Sequence, residues 1–177
     1  MMKRKNSEAP DTHVNEQNDL VPIQKSEQGA PIWPEGVIGS ITHTENFIGA
    51  VVESSEKLRG IGIDTEKILG PQSVVMVESL VATEEEKRKS LSFDPFEYFT
   101  LIYSAKESIF KCLNPIIQKY IEFHDVTIEN VCFDSQVFTF KLLKDLNEEF
   151  REGMSFEGSF HLDQGQEKLH TAFELYH

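Results

Sequence analysis

The chain has 177 residues, 39% hydrophobic and 10% aromatic, which suits one globular domain or two small, tightly joined halves with a sizeable core. Its formal net charge of −13 argues against non-specific binding to nucleic acid or anionic membrane, because both are polyanions. No apolar run is long enough to span a bilayer, and the two cysteines, Cys112 and Cys132, lack any metal or disulfide-framework spacing, so a reduced, cytoplasmic protein is expected.

Residues 1–20 are polar without periodicity and are expected to be disordered; the basic start lacks the apolar stretch of a secretory signal. "VPIQKSEQGAPIWPEG" is punctuated by Pro and Gly and reads as loop, with Trp33 as a packing anchor. "VIGSITHTENFIGAVVES" predicts two strands joined at "TEN", and "KLRG" leads into the strand "GIGID". Two helices follow. Thr83 and Glu86 form a capping box for the first. Asp94 caps the second, with Pro95 at its first position and Glu97 in an acidic first turn. Phe99, Ile102, Tyr103, Ile109, Phe110 and Leu113 share the apolar face of this helix, and Asn114-Pro115 ends it. The last third alternates apolar and polar residues in "VTIENVCF", "VFTFKLL", "SFEGSFHL" and "LHTAFELYH", four strands. The order of strands, helices and strands is that of an α+β domain.

Three stretches carry chemistry. In "GIGIDTEKI", Asp64 and Glu66 share one face of a strand, since residues i and i+2 do. Two carboxylates ~4 Å apart repel by ~4 kcal/mol at an effective dielectric of ~20. Solvent, a cation or a divalent metal must offset that, and hard oxygen ligands of this kind suit Mg²⁺. Read alone, such a pair is more often a solvated strand end. In "YSAKESIFKCL", Glu107 and Lys111 form an i,i+4 pair that stabilises a helix by a few tenths of a kcal/mol without any further role. Lys106 falls within the apolar stripe and must snorkel or find a partner, either a carboxylate or a bound phosphate. In "GSITHT", hydroxyls and His43 are able to meet phosphate oxygens, although a lone histidine carries little weight.

Taken together, in this order and spacing, "GSITHT", "GIGIDTE" and "SAKESIFK" closely resemble the 4′-phosphopantetheinyl transferases. The best match is the enterobactin synthase component D type, related to the surfactin-synthetase-activating enzymes. "GAPIWPEGVIGSITHT" is similar to that subgroup too, and the resemblance runs over residues 23–125. It implies an α+β fold of two pseudo-symmetric halves, each antiparallel sheet plus helices, with the first half truncated. Residues 21–58 would be the remnant of that half, and 59–177 the second half carrying the metal site.

The same resemblance implies transfer of the 4′-phosphopantetheine arm of coenzyme A to a serine of an apo acyl or peptidyl carrier protein, serving siderophore (enterobactin-like) or non-ribosomal peptide synthesis. Carried over position by position, Asp64, Glu66 and Glu107 would hold Mg²⁺. Glu107 and Lys111 would act in catalysis. Thr42, His43, Lys111, Lys106 and Lys25 would contact coenzyme A. A monomer or dimer is expected, and the basic run Lys87, Arg88, Lys89 is either a carrier-docking patch or a solvated helix face. Two rival readings stay open: an inactive relative that binds coenzyme A or carrier without turnover, and a Mg²⁺-dependent nucleotide phosphohydrolase.

Overall fold

The computed structural model describes residues 22–26 and 29–177. The disorder expected of residues 1–20 lies outside the described residues. The order begins with a short ladder of β1 (Gln24–Lys25) and β2 (Pro31–Ile32). Next come the hairpin strands β3 (Val37–Thr44) and β4 (Phe47–Ser54). Thr44 pairs with Phe47, so Glu45-Asn46 is a two-residue turn.

A five-stranded antiparallel sheet forms the rest of the β structure. It is built from β5 (Leu58–Lys67), β6 (Val126–Cys132), β7 (Val137–Leu142), β8 (Ser155–Asp163) and β9 (Lys168–Tyr176), in the order β5-β9-β8-β7-β6. Between β5 and β6 lie α1 (Pro71–Leu80), α2 (Glu84–Ser90) and α3 (Pro95–Ile117). The class is α+β, with helices gathered on one face of an antiparallel sheet. No helix of the described residues is long and apolar enough to cross a membrane.

Alternation along the strands sets the core. Phe138, Phe140, Leu169 and Phe173 point inward, and Phe140 meets Phe173 edge-on with centroids 4.9 Å apart. Against this face lies α3, whose predicted stripe is buried or half-buried throughout. Its start follows the predicted chemistry: Asp94 accepts from the amides of Phe96 and Glu97, and Pro95 occupies the first turn. In α2 the Thr83–Glu86 capping box forms as expected. The helix does not stop at Pro115. It runs to Ile117 and ends on Gln118 in the left-handed conformation, φ 54°, whose amide bonds Asn114 O. A proline in the last turn forfeits a single intrahelical bond, so it does not have to break the helix there.

Two glycines let α3 approach β5 closely. A Cβ on Gly62 would sit 1.9 Å from Ser108 O, and one on Gly60 would sit 2.9 Å from Cys112 O. The "GIG" spacing is therefore the imprint of a helix resting on the strand backbone. On its other edge β5 meets β3 through side chains. Ser40 Oγ accepts from the Ile63 amide at 3.0 Å and Thr42 Oγ1 from the Thr65 amide at 2.9 Å. Hydroxyls thus occupy the edge donors of β5 and join the hairpin to the main sheet.

Candidate active site

Four residues named from the sequence converge where the end of β5 passes under α3. Asp64 is 4% exposed. Its Oδ2 accepts from Ser104 Oγ at 2.8 Å, and its Oδ1 accepts from Lys111 Nζ at 2.6 Å and from Thr42 Oγ1 at 3.4 Å. Lys111 also donates to Ile63 O at 3.2 Å. Its partner is thus Asp64 across the strand–helix contact, and not Glu107 one turn earlier on the same helix.

Glu66 and Glu107 complete the cluster electrostatically. The Glu66 carboxyl is pushed up to about 7 by burial, and further by Asp64 and Glu107, with Lys111 pulling the other way. Burial and then Asp64 also raise Glu107, again against Lys111. Tyr103, one turn before Glu107, is held up at about 12 by burial and by the charge of the same three carboxylates. Three acids thus face a single ammonium, and two of them resist ionisation. Such a donor set suits a hard divalent cation, which would restore the ionised forms. Among the described residues no three His, Cys, Asp or Glu side chains stand in ready metal-holding geometry, and the Lys111 ammonium bonds one oxygen of Asp64.

Two expectations need correction. Thr42 is buried, and its hydroxyl is used up by the Thr65 amide and Asp64, so it joins β3 to β5 and is not presented to a ligand. Lys106 is buried as well. Its Nζ donates at 2.9 Å to Val81 O, Glu86 Oε2 and Phe123 O. Glu86 is 0% exposed and also accepts from the amides of Thr83 and Ile128. With three protein acceptors, the Lys106 ammonium has no donor left for a phosphate. Burial pulls its pKa down, with Glu86 opposing. Lys106 is a strut between α3, the α2 cap and β6.

A cavity of about 640 Å³ opens beside the cluster, walled by Trp33, Ile41, Ile61, Phe110 and Tyr120. Four Lys or Arg residues line it, Lys25, Arg59, Lys111 and Lys119, together with His43, and no Asp or Glu among the described residues does. In a chain of net charge −13 such a lining selects anions. Lys119 escaped the sequence reading because the helix was expected to stop at Pro115; its only signal was a lysine just beyond the continued helix. Ser104 and Tyr103 were missed too, one inside the "SAKES" stretch and the other counted as core. Of the basic run on α2, Lys87 pairs with Glu84 and Lys89 with Glu85.

Comparison with known proteins gives a consistent set of relatives. A family model for the 4'-phosphopantetheinyl transferase superfamily matches residues 60–164, more than half of the chain. A model for the 4'-phosphopantetheinyl transferase N-terminal domain matches residues 13–53. The 4'-phosphopantetheinyl transferase PptT of Mycobacterium tuberculosis is 32% identical over 109 residues, 60% of this chain and 47% of that protein. Svp of Streptomyces mobaraensis, another 4'-phosphopantetheinyl transferase, is 33% identical over 129 residues, 69% and 50%. Enterobactin synthase component D of Salmonella typhimurium is 35% identical over 86 residues, 48% and 35%. The chain spans about half the length of the first two relatives and less of the third.

Proposed function

Because the chain belongs to the 4'-phosphopantetheinyl transferase superfamily, we propose that it moves the 4′-phosphopantetheine arm of coenzyme A onto a serine of an apo carrier protein, with Mg²⁺. The observation that carries this reading is the junction at Lys111. That lysine both lines the cationic cavity and donates to Asp64, so an anion lying in the cavity would end at the carboxylate cluster.

Asp64, Glu66 and Glu107 would hold the ion, which when bound neutralises charge on the pyrophosphate of coenzyme A. The chain's own residues do the rest. Lys111 binds a phosphate oxygen at the inner end of the cavity. Trp33, Ile41 and Phe110 form an apolar wall against which the uncharged part of the co-substrate packs. Glu107 takes the proton of the carrier serine, whose hydroxyl is a weak nucleophile until it loses it. The serine oxygen bonds to the phosphorus that bears pantetheine, and the bond from that phosphorus to the bridging oxygen breaks. Adenosine 3′,5′-bisphosphate leaves, with a proton from Lys111 on the freed oxygen. His43 and Lys25 contact the nucleotide portion from the hairpin side.

The division into a first-half segment, 21–58, and a second half, 59–177, belongs to the same reading. Separate family matches at 13–53 and 60–164, and separate sheets, support it. Service to siderophore or non-ribosomal peptide synthesis draws support from the enterobactin synthase relative, and a cytoplasmic setting from the two free cysteines.

The test mixes the chain with coenzyme A, Mg²⁺ and apo carrier proteins of several kinds and reads the carrier by mass spectrometry. One phosphopantetheine added per carrier supports transfer. Coenzyme A binding by calorimetry with no mass gain on any carrier would replace transfer by a binding role.

A further inference from the structure

Three hydroxyl side chains recur at four-residue steps on the buried face of α3: Thr100, Ser104 and Ser108, each 0% exposed. Thr100 and Ser108 give their protons to carbonyls of their own helix, Phe96 O at 2.6 Å and Ala105 O at 2.8 Å, as helical hydroxyls commonly do. Ser104 instead donates across to Asp64 Oδ2 at 2.8 Å. The seating of α3 on β5 brings it there. Two residues of strand advance about 6.6 Å and four of helix about 6 Å, so the two elements stay in step. Gly60 lies under Cys112, Gly62 under Ser108, and Asp64 under Ser104.

Thr171 of β9 completes the arrangement. It stands directly opposite Asp64 in the β5–β9 ladder and is buried. Its Oγ1 lies 2.9 Å from Ser104 Oγ and 2.9 Å from Ser104 O. The single Ser104 proton is committed to the carboxylate, so Thr171 is the donor in the contact between the two hydroxyls. The order Thr171, Ser104, Asp64 fixes Oδ2 and leaves Oδ1 on the side of the cavity, where Lys111 bonds it. Resting on the Mg²⁺-dependent reading above, we propose that Ser104, oriented by Thr171, is a positioning residue for the reaction: it holds the Asp64 carboxylate so that a divalent cation is met by Oδ1. Neither hydroxyl lines the cavity, so both act through Asp64.

The experiment titrates Mn²⁺, which suits the same carboxylate ligands and is seen by electron paramagnetic resonance, into the unaltered chain, Ser104→Ala, Thr171→Val and Thr171→Ser. Ser104→Ala is expected to raise the Mn²⁺ Kd on the order of 10-fold, and Thr171→Val, which keeps the side chain's shape, to raise it by at least about 3-fold. Thr171→Ser returns the hydroxyl and should recover most of that loss. In the transfer assay the Ser104→Ala deficit should sit in the Mg²⁺ requirement and shrink at saturating Mg²⁺. A Kd within about twofold of the unaltered chain's in folded Ser104→Ala, or Thr171→Ser binding as weakly as Thr171→Val, would overturn the assignment. If Ser104→Ala does not fold, the two Thr171 variants decide by the same criteria. The expected Kd ratios with no transfer to any carrier would refute the transfer reading alone and uphold Ser104. No Mn²⁺ binding by the unaltered chain would overturn the metal site and this assignment together.

Discussion

Replacing Lys106 by Met separates a structural strut from a ligand contact. The ammonium of Lys106 and the carboxylate of Glu86 are both sealed from solvent, 2.9 Å apart. Lys106→Met removes the counter-charge and leaves Glu86 with only the amides of Thr83 and Ile128 as donors. It also strips the donor from Val81 O and Phe123 O. A buried acceptor left unpaired costs about 1–3 kcal/mol, and a buried ion pair broken on one side costs about 3–5 kcal/mol. Because the amides still hold Glu86, the expected loss is ~3–4 kcal/mol. That is a large share of the ~5–15 kcal/mol by which a domain this size is stable. Urea denaturation of the ligand-free protein reads it directly. The double variant Lys106→Met/Glu86→Gln should recover at least ~1 kcal/mol, because no unpaired charge remains. A loss under ~1 kcal/mol in the single variant, accompanied by weakened coenzyme A binding, would refute the strut and return Lys106 to the ligand.

Further outcomes follow from the same geometry. Glu66 is held at about 7 against an ordinary 4.5, so the folded metal-free protein binds its proton more tightly than the unfolded chain. Its contribution is complete below about pH 4.5 and is lost as pH rises through about 7. Taken whole, the shift would be about 3 kcal/mol, and for a half-exposed group ~1–2 kcal/mol is expected after solvent screening. Urea midpoints in chelator should therefore fall from pH 5 to pH 8, and Mg²⁺ should reverse the fall at pH 8; a flat profile in chelator would contradict the carboxylate crowding. Gly62→Ala places a methyl on the Ser108 carbonyl, a backbone atom that cannot swing aside, and should cost about 3 kcal/mol or more. Ala at Gly70, where a Cβ meets nothing, is the control for that measurement, and equal stability of the two variants would sink the close-approach argument.

Much of the fold was legible because local chemistry and tertiary packing agree. The hairpin turn, the two predicted helix starts and the four late strands all rest on residues whose preferences match their final place. α1 was not legible. It starts at Gly70 with no side-chain cap, buries Val74 and Val77, and leaves Val75, Met76 and Leu80 exposed, so its pattern shows no single apolar face. In the candidate site, the joint projection of Asp64 and Glu66 follows from strand periodicity, whereas Glu107 was joined to them only by the family resemblance. The partner of Lys111 does not, since an i,i+4 spacing points to Glu107 whereas the β5–α3 contact supplies Asp64. The hydroxyls of "GSITHT" carry two meanings that sequence cannot separate, bonds to a ligand or bonds to a strand edge. Ser40 and Thr42 take the second.

The central claim is that the carboxylates at the β5–α3 junction carry out transfer from the cavity to a carrier. It is tested by mass spectrometry of an apo carrier protein incubated with coenzyme A, Mg²⁺ and the unaltered chain, Asp64→Ala or Glu107→Ala, each variant checked for native-like circular dichroism. The unaltered chain should add one phosphopantetheine per carrier, and either variant should slow the rate by at least ~10²-fold. Unchanged rates in both variants, or no addition by the folded unaltered chain with any carrier, would contradict it.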